Sequence, residues 1–173
     1  TAYHFRRIPY AVAIAKFCLQ IDPLHHQTLN KLSQYYLELL DYTQAIETAQ
    51  FLYKHSESLQ AKFIANGTLL ATLMQSGSWQ LVPQVAERQK TLLKQVVSDQ
   101  EINFPLNRIR EALVRSGLLF YQEDNLKENR FYCNKISQLL ESYVKNQPSN
   151  SLSFSSTHPL DKTRRIKIGY IGH

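Results

Sequence analysis

Three groups of side chains are of types that could do chemistry: two cysteines, two adjacent histidines and two adjacent acids. Cys18 and Cys133 lie far apart and match no metal-ligand or disulfide spacing, so we expect two buried, reduced thiols. His25–His26 falls between two helical stretches. Because neighbours on a helix do not face each other, we expect exposed turn histidines that share no metal. Glu123–Asp124 is typical of a turn with a helix cap. The sequence therefore predicts no catalytic and no metal-binding residue.

The formal net charge of +6 raises the question of a nucleic-acid partner. Four of the positive charges lie close together near the C-terminus, at Lys162, Arg164, Arg165 and Lys167. The remaining basic residues nearly balance the 14 acidic ones, so no basic face extends along a helix and we expect no nucleic-acid partner. No stretch approaches the ~20 apolar residues of a membrane helix. We expect a soluble, cytoplasmic protein without a membrane partner.

A spacing of 34 residues recurs in the first part of the chain. The segments AVAIAKFCLQIDP, from Ala11, and AIETAQFLYKHSE, from Ala45, place small or apolar residues at i, i+4 and i+7, on one face of a helix. The stretch between them resembles the tetratricopeptide pattern of a large residue, leucine, a small residue, an aromatic and alanine: Leu29, Leu32, Ser33, Tyr36 and Ala45. Such helical hairpins bury their apolar faces by stacking on one another.

A third, degenerate unit follows. Phe63, Gly67 and Leu70 lie 34 residues after three of those positions, but the next turn glycine, Gly77, comes late. We therefore predict a lengthened first helix in this unit, with Trp79 packing after the turn. Pro83 is tolerated only in the first turn of the second helix. Residues 1–98 are predicted to be tetratricopeptide-like repeats.

Residues 99–145 are predicted to be a helical pair that caps the stack of hairpins. The first helix opens at Phe104–Pro105, where proline is permitted, and extends to Leu119–Phe120. The second helix starts after Asp124, the predicted N-cap. Its predicted apolar face comprises Tyr132, Ile136, Leu139, Leu140 and Tyr143.

The composition changes after residue 145. Residues 146–165 are rich in Ser, Asn and Pro and are predicted to be a linker. Residues 166–173, IKIGYIGH, contain alternating β-branched residues and then a glycine, a pattern typical of a strand that leads into a tight loop. The first strand of a nucleotide-binding α/β domain commonly begins in this way. The predicted fold is an all-α, tetratricopeptide-like solenoid that ends in one strand of a missing α/β domain.

This order of parts resembles the SPINDLY-type O-linked N-acetylglucosamine transferases. In that family the catalytic half begins with a strand of the form (Lys/Arg)-(Leu/Ile)-(Arg/Lys)-(Ile/Val)-Gly-Tyr-(Ile/Val)-Ser. Residues Arg165 to Ile171 match this form position by position, and Gly172 replaces the serine. The resemblance implies two Rossmann-like lobes that bind a UDP- or GDP-sugar and transfer the sugar to a Ser or Thr hydroxyl. It places those lobes, the nucleotide sugar and the family's functional histidine outside these residues. The 173-residue chain alone is thus expected to be inactive.

A few residues are candidates for contact with a partner. Asn30, Tyr36, Asn66 and Leu70 are candidate contacts of a peptide groove. The two asparagines lie 36 residues apart rather than 34, so the asparagine ladder of some family members is not predicted. His173 is a weak site candidate in an intact protein, because the family's histidine comes later.

Two functions are open at this point. In the first, the chain recruits protein or peptide substrates for a glycosyltransferase whose catalytic half follows His173. In the second, it is a free-standing tetratricopeptide adaptor that binds a partner protein.

Overall fold

The computed structural model describes residues 2–98, 117–121 and 125–145. Within these ranges the chain forms six α-helices and one short 3-10 helix, and it forms no strand. The α-helices are α1 (Ala2–Ile21), α2 (His26–Glu38), α3 (Tyr42–Lys54), α4 (Leu59–Gln75), α5 (Val82–Ser98) and α6 (Leu126–Lys145), and the 3-10 helix spans Gly117–Tyr121. The predicted all-helical class is thus confirmed for these ranges. None of the helices in the described residues is long and apolar enough to cross a lipid bilayer. The predicted linker and strand at 146–173 lie outside the described residues.

Consecutive helices from α1 to α5 pack against each other in hairpin-like pairs, as the sequence predicts. Helix α2 also contacts α4, so two helices that are not consecutive lie side by side. Helix α5 in turn contacts the 3-10 helix and α6. The largest core cluster extends from α3 through α4 and α5 to Leu119 and Tyr132, so the C-terminal elements share the core of the hairpins.

The 34-residue spacing appears in the structure as equivalent burial in α2 and α4. Four pairs of residues at this spacing are buried in both helices: Leu29 and Phe63, Leu32 and Asn66, Ser33 and Gly67, Tyr36 and Leu70. A small residue in the third pair leaves room for a neighbouring helix. The Ser33 hydroxyl donates to the Ala45 carbonyl at 3.0 Å, which joins α2 closely to α3.

The period is broken at α5 by the length of α4. Helix α4 has 17 residues where α2 has 13, so the turn at Gly77 comes late, as predicted. Pro83 is the second residue of α5, also as predicted. Trp79 is 59% exposed, so the prediction that it packs after the turn is wrong.

Helices α2 and α4 end in the same type of turn, built from different residues. After α4, the Ser78 amide donates to the Leu73 carbonyl and Gly77 has φ of +73°. After α2, the Asp41 amide donates to the Tyr36 carbonyl and Leu40 has φ of +61°. Both are Schellman endings, in which glycine suits the left-handed residue. Leu40 therefore carries backbone strain that Gly77 does not.

We expect opposite effects from exchanging residue types at these two turns. Gly77→Ala should lower the free energy of unfolding by about 1–2 kcal/mol, because alanine is strained in the left-handed region. The added methyl group would lie 3.9 Å from Nε1 of Trp79, its nearest neighbour, so no steric clash adds to this loss. Leu40→Gly should raise the free energy of unfolding by about 1 kcal/mol, since Leu40 is 69% exposed and little packing is lost. Urea denaturation followed by circular dichroism measures both. If both substitutions changed the free energy of unfolding in the same direction, the assignment of Leu40 and Gly77 to the left-handed position of the two turns would be contradicted.

Several predicted details of the C-terminal part and of the cysteines need correction. Helix α6 is capped by Asn125, whose side-chain oxygen accepts from the Glu128 amide at 3.2 Å, so the N-cap lies one residue after the predicted Asp124. The end of the predicted helix at 104–120 is a 3-10 helix, and residues 104–116 lie outside the described residues. Cys133 is exposed and Cys18 is only partly buried, so the prediction of two buried thiols is wrong, although both are free.

Candidate functional site

The four predicted groove residues lie in the interior of the helix stack. Asn30, Tyr36, Asn66 and Leu70 are each 5% exposed or less. Tyr36 packs in the core cluster between α1 and α2, and Leu70 packs in the larger cluster around α4. In this structure they offer little surface to a peptide. His173 lies outside the described residues.

Buried hydroxyl and amide groups join α2 to α4. The Thr68 hydroxyl donates to the Asn30 side-chain oxygen at 2.8 Å. The hydroxyls of Ser33 and Thr72 lie 3.2 Å apart, one turn further along. A buried polar group without a partner is costly, so these bonds favour one alignment of the two helices. Asn30 therefore serves helix packing.

A second buried network joins α4 to α5. The Asn66 side-chain nitrogen donates to the Val85 carbonyl at 3.0 Å and to the Gln89 side-chain oxygen at 2.7 Å. The Gln89 nitrogen donates to the Phe63 carbonyl at 3.2 Å. Both side chains are fully buried, and every buried side-chain nitrogen or oxygen among the described residues has a partner. The amide of Asn66 is thus fixed in orientation.

The remaining oxygen of Asn66 positions an arginine. Arg88 Nε donates to Asn66 Oδ1 at 2.5 Å. The guanidinium carbon of Arg88 lies 4.0 Å from the centroid of the Tyr53 ring, a cation–π contact. Arg88 is half-buried. Helices α3, α4 and α5 each contribute one residue to this arrangement, so the hairpin packing places the guanidinium.

Arg88 lines a cleft of about 200 Å³ between α3, α4 and α5. The residues that line it are Gln50, Tyr53, Leu69, Leu73, Leu81, Gln84, Val85 and Arg88. Leu69, Leu73 and Val85 are buried and form an apolar floor, while the two glutamines are exposed. An apolar surface with a few fixed polar groups suits binding. We take this Arg88 cleft as the candidate functional site.

A second exposed surface lies along α1. Tyr10, Ile14, Phe17 and Ile21 are between 62% and 75% exposed and follow one face of the helix. Helix α1 contains no acidic residue. Among the described residues, α2 is the helix that packs on the other side of α1. Helix α1 thus presents an exposed apolar face.

The adjacent histidines do not form a cluster. His25 precedes α2 and is exposed, as predicted, and its Nδ1 lies 2.6 Å from the Thr28 hydroxyl. His26 is the first residue of α2 and is partly buried, so the prediction of an exposed turn histidine is wrong for this residue. Within the described part of the chain, no three residues among His, Cys, Asp and Glu are placed to hold a metal ion.

Comparison of the chain with protein-family models, with curated proteins and with solved structures found no match. Function is therefore inferred from the Arg88 cleft, from the hairpin packing and from the motif at residues 165–171.

Proposed function

We propose that this chain is a tetratricopeptide-like solenoid that binds a segment of another protein. The observation that carries this proposal is the equivalent burial of residues 34 positions apart in α2 and α4, two helices that lie side by side. Stacked hairpins of this type present extended surfaces for partner proteins. The Arg88 cleft supplies a fixed cation beside an apolar floor on such a surface.

The segment's role is to recruit and orient protein substrates for a SPINDLY-type O-glycosyltransferase. Support comes from the motif at Arg165 to Ile171, which follows helical hairpins and a polar stretch in the order typical of that family. In this proposal, a parent enzyme binds the nucleotide sugar, with UDP-N-acetylglucosamine as the proposed donor, in lobes beyond His173. The helical segment itself holds no cofactor and does no catalysis.

A free-standing adaptor is the second candidate function. One observation favours it: the Arg88 cleft is built wholly from residues between Gln50 and Arg88 and needs no catalytic domain. The two functions are distinguished by the coding sequence that follows His173. A two-lobed α/β domain in frame supports the transferase, and a stop codon supports the adaptor.

In the transferase proposal, removing residues 1–145 from the longer polypeptide, so that the C-terminal elements that share the hairpins' core are removed with them, should abolish most transfer to folded protein acceptors. Transfer to short Ser- or Thr-containing peptides should persist, because catalysis is placed elsewhere. Incorporation from labelled UDP-N-acetylglucosamine into proteins and into peptides measures the two activities separately. Unchanged labelling of proteins would contradict the recruiting role. Transfer by the 173-residue chain alone would contradict the placement of the active site.

A further inference from the structure

We propose that the Arg88 cleft binds an aspartate or glutamate side chain of the partner segment, next to an apolar side chain of the same segment. This inference rests on the proposed protein-binding function and names the chemistry that the cleft recognises. The partner is thus a protein segment in which an acidic residue neighbours a leucine-sized apolar residue.

The first reason is that Arg88 is held in place before any partner binds. Its Nε is hydrogen-bonded to a fully buried asparagine, and its guanidinium carbon lies over the Tyr53 ring. A free arginine loses side-chain freedom when it forms an ion pair, and that loss opposes binding. Arg88 has already lost much of its side-chain freedom on folding, so less is lost when a partner binds. A guanidinium carries five N–H donors. Asn66 accepts from the one on Nε, and the other four are on the two terminal nitrogens.

The second reason is that no carboxylate neutralises Arg88 among the described residues. The acid next to it in sequence, Glu87, lies 2.8 Å from Lys90 Nζ instead. Glu128, on α6, is also directed to Lys90, at 3.8 Å. None of the described residues that line the cleft is acidic. A half-buried guanidinium without a carboxylate favours an anionic partner, and its planar fork matches a carboxylate.

The third reason is the apolar floor beside the cation. Leu69, Leu73 and Val85 are almost fully buried, and Leu81, 43% exposed, forms part of the rim. The floor itself therefore has little area left to cover, and a partner side chain removes apolar surface from water mainly by packing against Leu81. The site therefore selects an acidic and an apolar residue together.

The same lining favours a carboxylate over a phosphate. Phosphate groups, with nearly two negative charges, are bound in proteins by clusters of arginines. Within the part of the chain that the structure describes, Arg88 is the single cation that lines the cleft. One guanidinium matches the single charge of an aspartate or glutamate.

The test uses the intact 173-residue chain and a displayed library of random peptides, each about 12 residues long. Selected peptides are then synthesised with amidated C-termini, so that no terminal carboxylate is present. We expect enrichment of Asp or Glu next to an apolar residue. Exchanging that acid for its amide should weaken binding about 10- to 100-fold by calorimetry. Raising the salt concentration should also weaken the acidic peptide's binding.

Variants of the cleft test the pairing directly. Arg88→Met should weaken the acidic peptide about 10- to 100-fold and leave the amide variant's affinity unchanged. Arg130→Met, at an exposed position on α6, is the matched control and should change neither affinity. Gln84→Glu keeps Arg88 but places a carboxylate four residues before it on an exposed face of α5, so it should weaken the acidic peptide without unfolding the protein.

The outcomes separate this inference from the proposed function. Peptides that bind without any acidic preference, with equal affinity for Arg88→Met, would overturn the inference and leave the protein-binding function standing. Tighter binding of a phosphoserine version than of the acidic peptide would overturn the assignment to a carboxylate. A library that yields no binding peptide would contradict both.

Discussion

Leu70→Ala should lower the free energy of unfolding by about 3 kcal/mol. Leu70 is fully buried in the cluster formed by α4 and α5, so truncation removes apolar contacts and leaves a cavity. Urea denaturation, followed by circular dichroism, measures the change. The affinity for a peptide that binds the Arg88 cleft should change little under native conditions, because Leu70 does not line the cleft.

Leu126→Ala is the matched control for this prediction. Leu126 is 77% exposed at the start of α6, so its truncation should change stability by no more than about 0.5 kcal/mol. The opposite pattern at Leu70, native stability with lost peptide affinity, would show that Leu70 lines a groove, as the sequence predicts, and does not belong to the core.

Asn66→Leu should lower the free energy of unfolding by about 2–3 kcal/mol. The substitution removes the donor to the Gln89 side-chain oxygen, which is fully buried, and the acceptor of Arg88 Nε. Leaving buried polar groups without partners is the main source of the loss. Asn134→Leu, the same exchange at an exposed position of α6, should be nearly neutral.

The double variant Asn66→Leu/Gln89→Leu separates stability from binding. When both partners of a buried hydrogen bond become apolar, much of the stability can return, so we expect it within about 1 kcal/mol of the native protein. Arg88 then has no fixed acceptor, and its affinity for acidic peptides should stay low. A double variant with native stability and native affinity would show that Asn66 does not position Arg88.

The sequence predicts the interior of α2 and α4 well, because hydrophobic periodicity reports which face of a helix is buried. Leu29, Leu32 and Phe63 are buried as their spacing indicates. Periodicity does not report what a polar residue on that face contacts. Asn66 lies at an interior position and could face either a bound peptide or a neighbouring helix. The structure shows hydrogen bonds to α5, and no spacing rule predicts them.

The role of Arg88 at the cleft is not predicted from the sequence, for a related reason. The 34-residue spacing places residues of α2 and α4 in register, but the longer α4 shifts α5 out of that register. A signal is nevertheless present: Gln89 interrupts an apolar stripe that includes Val85 and Val96. A polar residue on a buried stripe requires a buried partner. That partner is Asn66, which also holds Arg88.

The cysteine prediction is wrong because it uses residue type without position. Cys is often buried, yet Cys133 follows the buried Tyr132 on α6. Successive residues on a helix point about 100° apart, so the neighbour of a buried residue is commonly exposed.

The NMR signal of the Arg88 Nε–Hε group tests most directly whether the buried network fixes this guanidinium. We predict a resolved signal with slow hydrogen exchange in the native chain, because Hε is bonded to the buried Asn66 oxygen. In Asn66→Leu/Gln89→Leu the signal should exchange as rapidly as that of the exposed Arg130. Rapid exchange at Arg88 in the native chain would contradict the claim that the hairpin core positions this residue for binding.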